Sequence, residues 1–181
     1  MLADTKTGYG AIAILLHWLG AIAMGYLWFT APDDHGGRIV VSDASHIAIG
    51  SGLGLLLLAR IFWRMASVNP APLSSNTALN TVASIVKMLL LLCILMILAT
   101  GTLGVWFKGG SINLFGVVPL PNLVGANPDW VREMHILHSM STNLIFPALL
   151  GLHVLGALKH VVFDRDGTFM RIVWPRGSEA A

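Results

Sequence analysis

The chain of 181 residues is 55% hydrophobic and only 11% charged, against roughly 25% charged in an ordinary soluble domain. So few charges can neither wet the surface of a small soluble domain nor sustain a disordered chain, and a single cysteine, Cys93, excludes a disulfide scaffold. With a formal net charge of +2 and cations scattered between apolar runs, no nucleic-acid-binding stripe is present, and the expected solvent is the bilayer.

A helix needs about 20 residues to cross about 30 Å of hydrocarbon, and four stretches are long enough. The first runs from about Ala11 to Thr30. It exceeds the roughly 7–15 apolar residues of a signal peptide, and Pro32 follows its small-residue site, so it reads as a retained span. Pro32 to Gly37 is a turn-rich link to the second span, His46 to Met65, and Asn69 to Asn76 links that to the third, Thr81 to Trp106. Met88, Met96 and Cys93 in the third span read as apolar filling. A longer link follows, Phe107 to Arg132, with Gly109, Gly110, Pro119, Pro121 and Pro128; it is expected to fold over a mouth of the bundle. The fourth span covers His135 to Phe163. The expected fold is an all-α membrane protein, one four-transmembrane-helix bundle forming a single domain over residues 1–181.

An even number of spans puts both termini on one side. Lys6, Arg60, Arg64, Lys87, Lys159, Arg165, Arg171 and Arg176 fall at that side, and Arg38, Lys108 and Arg132 at the other. The positive-inside rule therefore predicts cytoplasmic termini.

Polar groups at membrane depth are costly and mark function. Of the seven histidines, all but His35 lie in or at the edge of a span. Each alone can be a packing residue bonded to a neighbouring helix. Together they form two layers. His17 lies in the cytoplasmic half of the first span, and His46 opens the second on the outer side. In the fourth span His138 is near the outer end, and His153 comes fifteen residues later, about 22 Å lower. His46 can thus face His138, and His17 can face His153. Paired imidazoles on different helices of a bundle are the arrangement that holds a b-type haem through two axial nitrogens. Gly20, Gly50 and Gly156 follow three of these histidines by one helical turn and leave room beside them, although glycine is also common at plain helix contacts.

Two other chemistries compete. Zinc could use His135 and His138 with Asp129 or Glu133, but that leaves His17 and His153 without a role. A haem-free carrier could use the histidines as a proton path, although four spans without an inverted repeat offer little for alternating access. Phosphate-cradling, nucleophile-elbow and CxxC patterns do not occur.

Leu16-His17-Trp18, the lone His46, and Gly151-Leu152-His153-Val154-Leu155-Gly156-Ala157-Leu158-Lys159-His160, followed by Asp164-Arg165-Asp166-Gly167 and Met170-Arg171, resemble the prokaryotic cytochrome b561 family. The resemblance covers nearly the whole chain. It implies a four-helix protein of the bacterial inner membrane with two haems b, ligated by His17, His46, His138 and His153. The family usually spaces its fourth-span ligands fourteen residues apart, whereas His138 and His153 are fifteen apart and His135 and His153 eighteen. Facing on an ideal helix favours His135; membrane thickness favours His138, with a kink or one-residue bulge at Pro147 absorbing the excess. His138 is the preferred ligand, and His135 is its alternative.

The resemblance further implies electron transfer from a periplasmic donor, superoxide, to ubiquinone. On that reading Arg132 and Lys108 attract the anion at the outer mouth, although they also suit plain headgroup contacts. His160 and Lys159 are candidates for the quinone site, and Arg60 and Arg64, with Lys87, for the haem propionates. The alternative function is a dihaem subunit of a larger dehydrogenase or hydrogenase, reduced by a redox partner protein.

Overall fold

The computed structural model describes residues 1–31, 43–73 and 76–175. The first link, His35, Arg38 and Arg176 lie outside the described residues. Helices α1 (Ala11–Phe29), α2 (Asp43–Ala66) and α3 (Thr77–Phe107) are followed by strands β1 (Ile112–Leu114) and β2 (Val118–Leu120), then α4 (Pro128–Met140) and α5 (Phe146–Lys159). A π-helical turn, Ser141–Ile145, joins α4 to α5 without a break. Among the described residues, four helical stretches are long and apolar enough to cross a membrane: Ala11–Phe29, Ala44–Ala66, Thr77–Phe107 and Pro128–Asp164. Large apolar side chains such as Leu15, Ile22, Phe62, Leu144 and Leu155 are exposed around them, as suits helices whose outer surface meets lipid.

The helix ends follow from local chemistry. At the start of α1, the Asp4 carboxylate accepts the Gly10 N–H at 2.7 Å, and Ala11 and Ile12 donate to the carbonyls of Met1 and Leu2. These bonds satisfy N–H groups that a helix start leaves open. A side chain at Gly10 would overlap the Leu2 carbonyl oxygen, so only glycine lets the leading segment cross there. Asn76 caps α3 through its Oδ1, which accepts the Leu79 N–H at 3.1 Å. The fourth span starts earlier than the sequence reading placed it. Pro128 sits in the first turn of α4, where its missing N–H costs nothing, and Asp129 complements the helix dipole.

The chain groups into two compact units. One comprises Met1–Ala21, Leu56–Leu90 and Ala148–Ala181. Ile14 and Leu57 are buried in it, and the Trp18 indole donates to the Ile172 carbonyl at 2.8 Å. Ala71 donates its N–H to the Lys6 carbonyl at 2.9 Å, and the buried Arg171 donates to the Ala71 carbonyl at 2.7 Å. The leading segment, the second link and the chain after α5 are therefore stitched together.

The other unit comprises Ile22–Leu55 and Leu91–Pro147, with Met24, Ile97, Ile112, Met134 and Phe146 among its buried residues. The long third link contains the antiparallel β1–β2 hairpin. Phe115 and Gly116 at its tip have φ of 50° and 74°, and the Val117 N–H closes the turn onto Leu114. The tip docks on α2: the Phe115 N–H donates to the Ala48 carbonyl at 3.1 Å, and its ring fills the space that a Cβ on Gly52 would occupy. Asn122 fastens the rest of the link by donating to the Trp106 carbonyl at 2.7 Å while its Oδ1 accepts from Val124 and Gly125.

Candidate functional site

Each compact unit contains one histidine pair from two different helices. In the first, the rings of His17 on α1 and His153 on α5 have centroids 6.4 Å apart, inclined at 62°. In the second, His46 on α2 and His138 on α4 stand 6.5 Å apart at 88°. Two nitrogen–metal bonds of about 2 Å each, with half an imidazole ring on either side, come to roughly 6 Å, so both pairs are spaced to hold one metal centre between two rings. His135 is exposed, whereas His138 is half-buried and paired.

The surroundings of His138 fix its tautomer. Its Nδ1 lies 3.1 Å from the Ile97 carbonyl oxygen and 3.3 Å from Thr100 Oγ1. A carbonyl can only accept, so Nδ1 carries the proton and Nε2 keeps its lone pair for a metal. Thr100 Oγ1 donates to the Met96 carbonyl at 2.7 Å, which leaves the oxygen a lone pair for the ring. Gly101 admits the imidazole, since a Cβ there would lie 3.1 Å from His138 Cε1. Ile97, Thr100 and Gly101 were missed in the sequence, where the third span reads as filling. The small, polar run Thr100-Gly101-Thr102 inside an otherwise apolar helix was the available signal.

The π-helical turn lies between His138 and His153 in the chain. Phe146 donates its N–H five residues back, to Ser141, and Pro147 has no N–H to donate. This widened turn takes up one residue, the amount by which the interval exceeds fourteen. Cys93 is buried against it, its thiol 3.8 Å from the Ser141 carbonyl oxygen.

The environment of His17 differs in kind. Arg60 Nη2 is 2.9 Å from His17 Nδ1, and Gly20 leaves room for the guanidinium, with its missing Cβ 3.5 Å from Arg60 Nη1. Arg64 lies over the Tyr9 ring at 5.7 Å, and its buried Nη1 has no hydrogen-bond partner. Arg64 is close enough to Arg60 and to Lys87 for mutual repulsion to register, and among the described residues none of the three pairs with a carboxylate. Cations gathered beside a histidine pair, one with an orphaned buried donor, fit a group that brings two nitrogen-seeking metal positions and its own carboxylates. Haem b, with its propionates, is such a group.

The other sequence candidates stand apart. Lys159 Nζ grips the Asp164 carboxylate at 2.6 and 2.8 Å. His160 Nδ1 sits 3.0 Å from Asp164 and 2.9 Å from Asp166. The two aspartates are a feature the histidine pattern did not single out. Burial is the largest influence on Asp166 and pushes its carboxyl up, but hydrogen bonds from Thr168 and His160 outweigh it and hold the group below its ordinary value. Arg132 and Lys108 are exposed, and the structure does not bring them into hydrogen-bond or ion-pair contact with either histidine pair. Among the described residues, the side chains close enough together to form a three-ligand metal set are His160, Asp164 and Asp166, not the His135 and His138 set that zinc would need.

The chain is 29% identical to cytochrome b561 homolog 2 of Escherichia coli (strain K12) over 186 aligned positions, which take in 97% of this chain and 96% of that protein. The family model for prokaryotic cytochrome b561 matches residues 8–175. The chain belongs to the prokaryotic cytochrome b561 family, whose members transfer electrons across a membrane on b-type haem.

Proposed function

We propose that the protein binds two haems b, one between His46 and His138 and one between His17 and His153, and carries electrons from superoxide in the periplasm to ubiquinone. The observation that carries this reading is the recurrence of one geometry: two histidine pairs, each across two helices, at centroid distances of 6.4 and 6.5 Å. Haem b supplies one-electron chemistry, its iron alternating between the ferric and ferrous states.

The chain's own residues do the rest. His138 offers Nε2 because Ile97 and Thr100 hold the proton on Nδ1. Arg60 and Arg64 neutralise propionates that would otherwise be costly at membrane depth. Arg132 and Lys108 raise the local concentration of an anionic donor. The balance is two superoxide ions giving up one electron each and leaving as dioxygen, while one ubiquinone takes up two electrons and two protons. His160, oriented by Asp164 and Asp166, relays a proton to the quinone, and Lys159 supports a quinone carbonyl when it exchanges its hold on Asp164. The membrane is the bacterial inner membrane with both termini cytoplasmic. The charge census supports this orientation, as does the stitching of Lys6, Ala71 and Arg171 at one place.

The test is the visible spectrum with pyridine-haemochrome quantitation on the purified chain and on H46A and H153A. Two haems b per chain, one lost in each variant, is the expected result. No haem, or a haem content indifferent to both substitutions, overturns the reading. Superoxide-driven reduction of ubiquinone by the isolated chain supports the donor assignment. Inactivity with superoxide together with a co-purifying redox protein replaces it with a docked donor.

A further inference from the structure

The third link turns its apolar side chains outward. From Gly109 to Pro128 it contains no Asp, Glu, Lys, Arg or His, and the charges that flank it, Lys108 and Asp129, are both exposed. Val117 at the hairpin tip is 79% exposed and Leu123 74%, and Phe115, Val118 and Val124 are exposed as well. Between the tip and α2 lies an open cleft of about 430 Å³, walled by Ala44, Ser45, Ala48, Ile49, Phe115 and Gly116, all short or apolar. So large an apolar surface on a link without charge is not shaped for water.

The height of the tip is set by α2. Phe115 bonds to Ala48 and its ring rests on Gly52, about 6 and 12 Å along the span that begins at Ala44. That span of 23 residues is about 34 Å long, against about 30 Å of hydrocarbon, so Gly52 lies inside the apolar layer and the tip reaches down beside it. Leu55 follows Ala48 and Gly52 on the same face of α2 and is exposed, so the patch runs on into the lipid-facing side of the span. Trp130, exposed in the first turn of α4, suits the headgroup level above it. Non-helical backbone can enter this depth only if its polar groups are satisfied. The β1–β2 ladder does this, Gly116 and Val117 donate to Asn113 and Leu114, Phe115 donates to Ala48, and Pro119 and Pro121 have no N–H to leave open.

We propose that the hairpin tip, Phe115 to Val118, is a lipid-binding surface, seated about 5–10 Å into the headgroup and acyl boundary of the leaflet where α2 begins. Its partner is the acyl region of phospholipid, which covers Val117 and Val118 and fills the cleft beside Ala44 and Ala48. The Phe115 contact with α2 holds the tip at this depth, and the exposed Lys108 and Asp129 mark where the link leaves the lipid at either end. A protein partner is the poorer fit, because such an interface has a polar rim and this patch passes without one into the face of a span. The proposal rests on the spans alone and needs neither haem nor an electron donor.

The experiment places a thiol-linked fluorophore on V117C in the full-length protein, held in phosphatidylcholine nanodiscs that leave both faces open to water. Cys93 is buried, and the unsubstituted protein sets the background label. Two quenchers are compared: aqueous iodide, and phosphatidylcholine carrying a nitroxide high on its acyl chain. N69C, in the exposed second link, is the aqueous reference. The expected result at position 117 is iodide quenching several-fold weaker than at N69C, together with quenching by the nitroxide lipid. Iodide quenching comparable to that at N69C overturns the proposal and leaves the patch in water, open to a protein partner. Screening from both quenchers also overturns it, since a second copy or another protein then covers the patch. If V117C does not label, V118C at a 53% exposed position is read by the same criteria. Haem content does not enter either reading, so failure here and failure of the two-haem reading are distinct.

Discussion

His138 gives its Nδ1 proton to the carbonyl oxygen of Ile97, 3.1 Å away on α3. The acceptor is a main-chain atom, so the tautomer is held by the helix itself and no side-chain exchange at position 97 removes it. His135, one helical turn earlier, is exposed and has no such hold.

On the proposed two-haem reading, this contrast leads to H138A losing one haem and H135A keeping both, with haem content read by pyridine haemochrome. A haem lost in H135A and retained in H138A would reverse the assignment.

Gly101 and Gly104 lie one turn apart on α3, and their surroundings separate them. A Cβ at Gly101 would lie 3.1 Å from His138 Cε1, whereas at Gly104 it would make an ordinary contact, 3.7 Å from Met134 Cβ. G101V is therefore expected to displace the imidazole and, on the proposed two-haem reading, to lower haem occupancy to about one per chain. G104A should leave the spectrum unchanged and the thermal midpoint within the range of a tolerated substitution, about 0.5 kcal/mol. Equal haem loss in both variants would show that α3 tolerates no added side chain in this stretch, and Gly101 would lose its particular role.

What the sequence made legible was what the membrane makes expensive. Four apolar runs and the histidines inside them stand out because neither has a cheap alternative in lipid, and the pairs His17 with His153 and His46 with His138 followed from depth alone. Pro147 signalled the irregularity that the structure shows as the π-helical turn at Ser141–Ile145. Other features left no such trace. The Ile97 acceptor is a backbone atom, common to every residue type. Arg60 was counted with the topology-setting cations and named as a propionate candidate, but only its side-chain direction reveals the contact with His17. Pro128 reads as loop punctuation until its place in the first turn of α4 is known. The β1–β2 hairpin escaped because three-residue strands are too short to show an alternating pattern.

The hairpin tip supplies a further prediction. Phe115 holds a left-handed backbone, φ 50°, which costs a non-glycine residue about 1–2 kcal/mol, and the docking of its ring over Gly52 offsets this. G52A would drive a methyl group into that ring and is expected to cost about 1–3 kcal/mol, as overpacking does. In an F115A background the same G52A substitution should cost under about 0.5 kcal/mol, because the obstructing ring is gone. Thermal midpoints of the two single variants and the double variant measure the coupling; strict additivity would mean that the ring does not rest on α2.

The ion cluster after α5 responds to acid in a direction fixed by Asp166. Its carboxyl titrates below the ordinary value of 3.8 in the folded protein, because the hydrogen bonds from Thr168 and His160 favour the ionised form more than burial opposes it. A group with a lowered folded pKa contributes stability above its unfolded pKa and loses it as the pH falls through the folded value. The contribution of Asp166 is therefore complete at neutral pH, begins to fade near pH 4 and is gone below the folded pKa. D166N cannot ionise, so it should be less stable than the wild type at pH 7, by roughly 1 kcal/mol or less for so peripheral a pair. The difference should shrink as the pH is lowered from about 5 to 3, read as converging thermal midpoints. A difference that stays constant over that range would mean that Asp166 stabilises the turn through its shape and not its charge.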